Sequence, residues 1–69
     1  MQLKCFLMVI EDYLDEYGNL LEGGTAFNCG FTYDVVDMGG WRAIISENGR
    51  VHGLTLEKTA WINGHFKVT

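Results

Sequence analysis

The sequence predicts a small, mainly β domain, in which five to six antiparallel strands form a meander that curls into an SH3-like or OB-like barrel. Three observations favour this class. The chain has 69 residues, which allows one domain, 1–69. It has nine glycines and no proline, and two of the glycines follow asparagine, a pair typical of tight hairpin turns. The apolar stretches between the turns alternate as half-buried strands do, and so small a sheet avoids open edges by rolling up.

The first element is an almost continuous apolar run from Leu3 to Ile10, which predicts a strand buried on both faces. A hairpin follows, because Asp15-Glu16-Tyr17-Gly18 fits a type I turn with glycine in the left-handed position. Such a three-residue loop pairs Leu14 with Leu20 and Tyr13 with Leu21.

A short helix near residues 10–17 is the alternative. Ile10, Leu14, Tyr17 and Leu21 are spaced as on one helical face, and Gly18 could cap a helix that ends at Tyr17. The hairpin is favoured by its explicit turn chemistry, although extending it sets Asp12 opposite Glu22, a like-charge pair.

Residues 26–36 predict a further strand. Apolar residues from Phe27 to Val35 alternate with small or polar ones, and Gly30 marks a bulge or bend. The strand begins after Gly23-Gly24 and ends before Gly39-Gly40.

Two Asn-Gly pairs predict hairpins in the second half. Asn48-Gly49 favours a type I′ turn, which sets Ile45 opposite His52 and places Trp41 on a core face. Asn63-Gly64 predicts a second turn of the same kind, which sets Trp61 opposite Phe66. Trp41 and Trp61 are therefore both expected on buried faces.

The charge is distributed unevenly along the chain. The formal net charge is -4, yet residues 5–41 contain seven acidic residues and no lysine or arginine. Affinity for nucleic acid depends mainly on basic residues that neutralise phosphates. Nucleic acid is therefore not the expected partner, and a protein with a basic surface is.

No sequence feature indicates a membrane or an export signal. The apolar run that begins at Cys5 reaches only Ile10 before Glu11, whereas a membrane helix needs roughly 20 apolar residues and a signal peptide also needs a cleavage site. We therefore expect a cytoplasmic protein with no membrane partner, in which Cys5 and Cys29 are free thiols.

No enzymatic activity, metal or cofactor is expected. No two of Cys5, Cys29, His52 and His65 have the close spacing of zinc ligands. The cysteines lie in apolar, strand-like runs that do not activate a thiol, and the chain has no nucleophile or phosphate-loop motif. The acidic residues do not follow the spacing of a calcium loop.

The acidic turn is the candidate partner-binding site. An exposed aromatic residue at a turn tip among acids is typical of an interface. The expected partner-binding residues are Glu11, Asp12, Asp15, Glu16, Tyr17 and Glu22.

These features favour a non-enzymatic protein-binding module, a small acidic inhibitor or adaptor of phage or mobile-element type that docks on a nucleic-acid-handling protein. The first alternative is a structural homo-oligomer, such as a homodimer or an assembly subunit, because so small a core is marginally stable alone. The second is a single-stranded nucleic-acid binder that uses the aromatic residues with Arg42, Arg50, Lys58 and Lys67.

Overall fold

The computed structural model describes residues 1–69 and is mainly β, with antiparallel sheets and one short α-helix. The helix is α1 (Thr59–His65), preceded by a 3₁₀ turn at Leu56–Lys58. The strands are β1 (Gln2–Cys5), β2 (Val9–Leu14), β3 (Leu20–Phe27), β4 (Thr32–Asp34), β5 (Val36–Asp37), β6 (Arg42–Ile45), β7 (Val51–Gly53) and β8 (Phe66–Val68).

The strands form three separate sheets, ordered β4–β1–β8, β2–β3 and β5–β6–β7. No sheet closes on itself, so the predicted barrel is not confirmed. The predicted meander holds for β2–β3 and for β5–β6–β7, but β1 pairs with β4 and β8 instead of β2.

A bend after β1 divides the apolar run that was expected to be one strand. The backbone N–H of Phe6 donates to the carbonyl of His65 at 2.8 Å, which draws the chain toward the end of α1. β2 then begins at Val9 in another sheet. Two short strands therefore replace the continuous strand from Leu3 to Ile10.

The β2–β3 hairpin has the predicted loop and pairing, with Leu14 opposite Leu20 and Tyr13 opposite Leu21. The alternative helix near residues 10–17 is therefore wrong. The pairing shifts between Glu11 and Tyr13, so that Glu22 and Gly23 together oppose Asp12. The β-bulge interrupts the regular ladder at this like-charge pair, and Asp12 and Glu22 remain neighbours there.

After β3 the chain turns at residues 28–31. The N–H of Phe31 donates to the carbonyl of Asn28 at 3.2 Å, and Gly30 has a φ of 89°. The bend expected at Gly30 is confirmed, but it interrupts the expected strand, because β3 ends at Phe27 and β4 begins at Thr32.

The β6–β7 hairpin is present, but its predicted register is wrong by one residue. Ile44, not Ile45, lies opposite His52. Within this loop only Gly49 has a positive φ, of 82°. A type I′ turn needs a positive φ at Asn48 as well. The loop is therefore a type I turn followed by a left-handed glycine, which adds one residue and reverses the faces of the β6 side chains relative to His52, which is buried as predicted.

That reversal exposes Trp41. Its predicted place on a core face is wrong, because 48% of the residue is exposed, whereas Ile44 is fully buried.

Helix α1 occupies the place of the second predicted hairpin, so that prediction is also wrong. Asn63 and Gly64 lie in the last turn of α1, which lets Trp61 pack against Phe27 at a ring-centroid distance of 6.2 Å. Burial of an indole outweighs a local turn preference. The expected contact of Trp61 with Phe66 is present at 5.6 Å, across the helix–strand junction.

The core is centred on Phe27. Its ring makes edge-to-face contacts with Tyr33 at 4.9 Å and Phe66 at 5.1 Å, a geometry that aromatic pairs prefer. The cluster draws on all three sheets and comprises Leu3, Cys5, Val9, Ala26, Phe27, Ile44 and Phe66.

Candidate protein-binding site

All of the predicted partner-binding residues lie on one structural element, the β2–β3 hairpin (residues 9–27). The hairpin brings them together but gives them different environments. Asp12, Glu16, Tyr17 and Glu22 are exposed, whereas Asp15 and Glu11 are half-buried.

Asp15 shapes the loop at the tip of the hairpin. Its Oδ1 accepts hydrogen bonds from the backbone N–H groups of Tyr17 and Asn19, both at 2.9 Å. The Asp15 carboxylate is therefore engaged in the turn itself. The same turn presents Glu16 and Tyr17 to solvent, and 81% of Tyr17 is exposed.

Asp12 and Glu22 lie beside each other at the bulge. Asp12 Oδ1 accepts a hydrogen bond from the N–H of Gly23 at 2.8 Å, which holds the bulge in place. Both acidic residues remain exposed. The hairpin therefore carries acidic residues along its two strands as well as at its loop.

Glu11 is directed inward and connects the hairpin to the β6–β7 hairpin. Its Oε1 lies 3.3 Å from Nε2 of His52 and 3.9 Å from Nη1 of Arg50. Glu11 Oε1 and His52 Nε2 are both buried, and neither forms a hydrogen bond. Glu11 is thus the acidic residue at which the hairpin meets the β6–β7 hairpin, and the sequence does not signal its separation from the other acids.

His52 is enclosed by aromatic rings. Its imidazole stacks on Trp61, with centroids 5.9 Å apart and planes at 8°, and meets Phe27 at 5.0 Å. Burial lowers the pKa of His52 below its usual 6.5, Lys58 and Arg50 add to this effect, and the Glu11 carboxylate opposes it. The imidazole is therefore neutral at pH 7.

An open groove lies between the hairpin and the β6–β7 turn. It has a volume of about 450 Å³. Its lining residues are Asp12, Tyr13, Leu14, Leu20, Asn48, Gly49 and Arg50. Acidic, basic and apolar groups thus line one channel beside β2.

An exposed apolar stripe also runs along the hairpin, and sequence analysis did not identify it. The exposed fractions are 52% for Ile10, 66% for Leu14 and 57% for Leu20. Leu14 and Leu20 were predicted only as a strand pair, and Ile10 as the end of a buried apolar run or as part of the alternative helix. Alternation along β2 places Ile10, Asp12 and Leu14 on one face, which could have indicated an apolar surface with one acid at its centre.

Three of the four basic residues of the second half lie close to other side chains. Lys58 Nζ lies 5.5 Å from the centroid of the Trp61 ring, Lys67 Nζ lies 5.3 Å from that of Phe6, and Arg50 faces Glu11. Each of these three cations therefore lies beside a neighbouring side chain.

The two cysteines are free thiols, with Cys5 buried and Cys29 exposed. The Cys5 thiol donates to the carbonyl of Leu7 at 3.1 Å, and burial raises the pKa of Cys5. No three of the His, Cys, Asp and Glu residues converge as a metal site would require. The chain also contains no helix with the length and apolar character needed to span a bilayer.

Comparisons with protein-family models, curated proteins and solved structures found no match to this chain.

Proposed function

We propose that this chain is a non-enzymatic protein-binding module that docks through its β2–β3 hairpin on a basic surface of a nucleic-acid-handling protein. In this role it acts as a small acidic inhibitor or adaptor of the phage or mobile-element type, in the cytoplasm, where free thiols such as Cys5 and Cys29 persist. The observation that carries the proposal is the exposed group of Glu16, Tyr17 and Glu22 on one hairpin.

The charge of the hairpin supports a basic partner. Five acidic residues and no lysine or arginine lie between Val9 and Phe27. Such a concentration of one sign steers a partner of the opposite sign and raises the association rate. Surfaces that bind nucleic acid carry the complementary charge, because they must neutralise phosphates.

Tyr17 supplies an anchor at the centre of this charge. Its ring is 81% exposed and makes none of the aromatic contacts that hold the core. Tyrosine is enriched among the few interface residues that contribute most of the binding energy. An aromatic residue so exposed at a loop tip adds little to the fold and is free to enter a pocket on a partner.

The test is capture of partners from a lysate by the immobilised chain, comparing wild type with Tyr17→Ala and Glu16→Lys. We expect a captured, salt-eluted protein to be retained at least about tenfold less by each variant, which corresponds to about 1.4 kcal/mol. Glu57→Lys makes the same charge change at an exposed position on the 3₁₀ turn and serves as the control. Equal capture by all four proteins would refute the proposal.

A homo-oligomer is the second candidate, favoured by a different surface. Phe6, Leu7 and Phe31 are 43%, 53% and 55% exposed around the bend that follows β1. Light scattering coupled to size exclusion tests it, with Leu7→Asp as the variant. A dimer that this variant dissociates supports the candidate, and a strict monomer at high concentration removes it.

A further inference from the structure

The edge of β2 that faces away from β3 has no strand beside it. β3 is the only hydrogen-bonded neighbour of β2. No backbone hydrogen bond outside the β2–β3 ladder involves any residue from Val9 to Leu14. The backbone groups of β2 that point away from β3 therefore remain open to pairing.

One backbone hydrogen bond in the hairpin loop shows which N–H and C=O groups of β2 face its open edge. The N–H of Asp15 donates across the hairpin to the carbonyl of Asn19 at 2.9 Å. Backbone groups alternate in direction along a strand, so those of Tyr13 face β3 and those of Leu14 and Asp12 face away from it. The bulge does not disturb this alternation, because the extra residue lies on β3.

The open edge has room for an added chain. Asp12, Tyr13 and Leu14 of β2 line the 450 Å³ groove, together with Leu20 of β3 and with Asn48, Gly49 and Arg50 of the β6–β7 loop. A strand occupies about 4.8 Å beside its neighbour and advances about 3.3 Å per residue, so a few residues of extended chain fit here.

The side chains on the outer face of β2 define the chemistry of the occupant. Ile10 and Leu14 are exposed and apolar, and the acidic Asp12 lies between them on the same face. Cross-strand pairs are favourable between apolar residues and between opposite charges. The matching strand therefore reads apolar, any residue, basic, any residue, apolar.

We propose that the open edge of β2 binds an extended segment of a partner protein as an added strand, and that this segment places one lysine or arginine between two apolar residues. The inference rests on the proposed function and specifies how the basic partner is held. Main-chain hydrogen bonds to Asp12 and Leu14 supply affinity, and the alternate side chains supply selectivity.

A second copy of this chain does not meet these requirements. Antiparallel pairing of β2 with the same strand of another copy brings Glu11 and Asp12 close to the same two acids of that copy. Like charges on neighbouring strands are destabilising. The same acids would be neutralised by a basic strand.

The first experiment titrates the ¹⁵N-labelled chain with the synthetic peptide acetyl-Thr-Val-Thr-Lys-Thr-Val-Thr-amide, followed by amide chemical shifts and hydrogen exchange. We expect the amides of Asp12 and Leu14 to shift and to gain protection, whereas that of Tyr13, already paired with β3, changes little. Replacing the lysine with glutamate is expected to weaken binding about tenfold or more, and N-methylation of the central residues to abolish it. Shifts confined to other residues, or no shifts, would overturn the inference.

The second experiment removes the donor at the edge. Leu14→Pro deletes an N–H that faces away from β3, a position where an edge strand tolerates proline. Leu14→Ala keeps the N–H and is the matched control. We expect Leu14→Pro to lose the peptide and Leu14→Ala to keep it, with the amide spectrum of β3 unchanged in both. If proline disrupts the hairpin, the N-methylated peptide tests the same strand pairing, because it removes backbone N–H donors from the peptide and leaves the protein unchanged.

Together these experiments separate this inference from the proposed function. If Leu14→Pro captures the lysate partner normally and Tyr17→Ala does not, the hairpin tip binds the partner and strand addition is refuted. If every variant captures the partner equally, the proposed function fails as well.

Discussion

Glu11 Oε1 lies 3.3 Å from Nε2 of His52, and both atoms are buried without a hydrogen-bond partner. This contact joins two hairpins that share no sheet. Since His52 is in turn stacked on Trp61, it links the acidic hairpin to α1. The orientation of the proposed docking element therefore depends on an imidazole in the core.

Stability is expected to fall between pH 7.5 and 5.5 because of His52. Burial lowers the pKa of His52 in the folded chain below its usual 6.5. The unfolded chain therefore binds a proton first as the pH falls. The stabilising contribution is complete above about pH 6.5 and is lost as the pH falls from there toward the folded-state pKa.

Urea unfolding at the two pH values measures this loss. His52→Phe keeps an aromatic ring against Trp61 and is expected to remove most of the pH dependence, and His65→Gln is the control that keeps it. An equal pH dependence in wild type and His52→Phe would contradict the prediction.

Tyr33→Phe is expected to destabilise the fold by about 1–2 kcal/mol. The Tyr33 hydroxyl accepts a hydrogen bond from the N–H of Asn28 at 2.8 Å and donates one to Glu47 at 2.7 Å. Urea unfolding measures the loss, and Tyr17→Phe, at the exposed tip, should cost nothing measurable. Equal stability of the two variants would show that the Tyr33 hydroxyl carries no stabilising bond.

Ionisation of tyrosine is also expected to lower the stability of the fold in alkali, because of Tyr33. Burial and the hydrogen bond to Glu47 raise the pKa of Tyr33 to about 12. In the unfolded chain a tyrosine ionises near pH 10, so the stabilisation is complete below about pH 10 and is lost above it. Thermal unfolding between pH 9 and 11 should show this decline in wild type and a smaller one in Tyr33→Phe. Identical declines would contradict it.

Gly24→Ala is expected to destabilise the hairpin by about 1–3 kcal/mol. A Cβ at Gly24 would overlap the ring of Tyr13, which lies directly over it. The double variant Tyr13→Ala, Gly24→Ala should lose less than the sum of the two single variants, because the clash is then absent. Additive losses in urea unfolding would exclude the contact.

Gly64→Ala is expected to stabilise the chain by about 0.5 kcal/mol. Gly64 lies inside α1, a Cβ there meets no atom within 4 Å, and alanine loses less entropy than glycine in a helix. Gly49→Ala is the matched contrast, since a φ of 82° makes alanine cost about 1–2 kcal/mol. Destabilisation by Gly64→Ala would indicate that this segment is not helical.

The elements predicted correctly are those that depend on neighbouring residues. Asp15 accepts the hydrogen bonds of its loop, and Gly18 supplies the positive φ that the loop needs. The β2–β3 pairing could therefore be predicted from the sequence. Asn48-Gly49 was interpreted as a two-residue loop, but Asn48 keeps negative φ and the register moved by one residue. Local preference therefore indicated the hairpin but not which face it buries.

Long-range packing determined what local patterns could not. Asn63 and Gly64 lie in α1 and do not form a hairpin turn, because the helix packs Trp61 against the Phe27 ring in the core. At the candidate site, the clustering of acids was visible in the sequence. The inward direction of Glu11 was not, because it depends on His52, which is 41 positions further along the chain.

The place of β1 between β4 and β8 affects the order in which the molecule can assemble during translation. Leu3 pairs with Tyr33 on one side and with Val68 on the other. As the ribosome extends the chain, the acidic hairpin can form once residue 27 has emerged, but β1 gains its second neighbour only once residues 66–68 have emerged. The acidic hairpin can therefore form early, whereas the β4–β1–β8 sheet is completed only after the elements between β1 and β8 have been made.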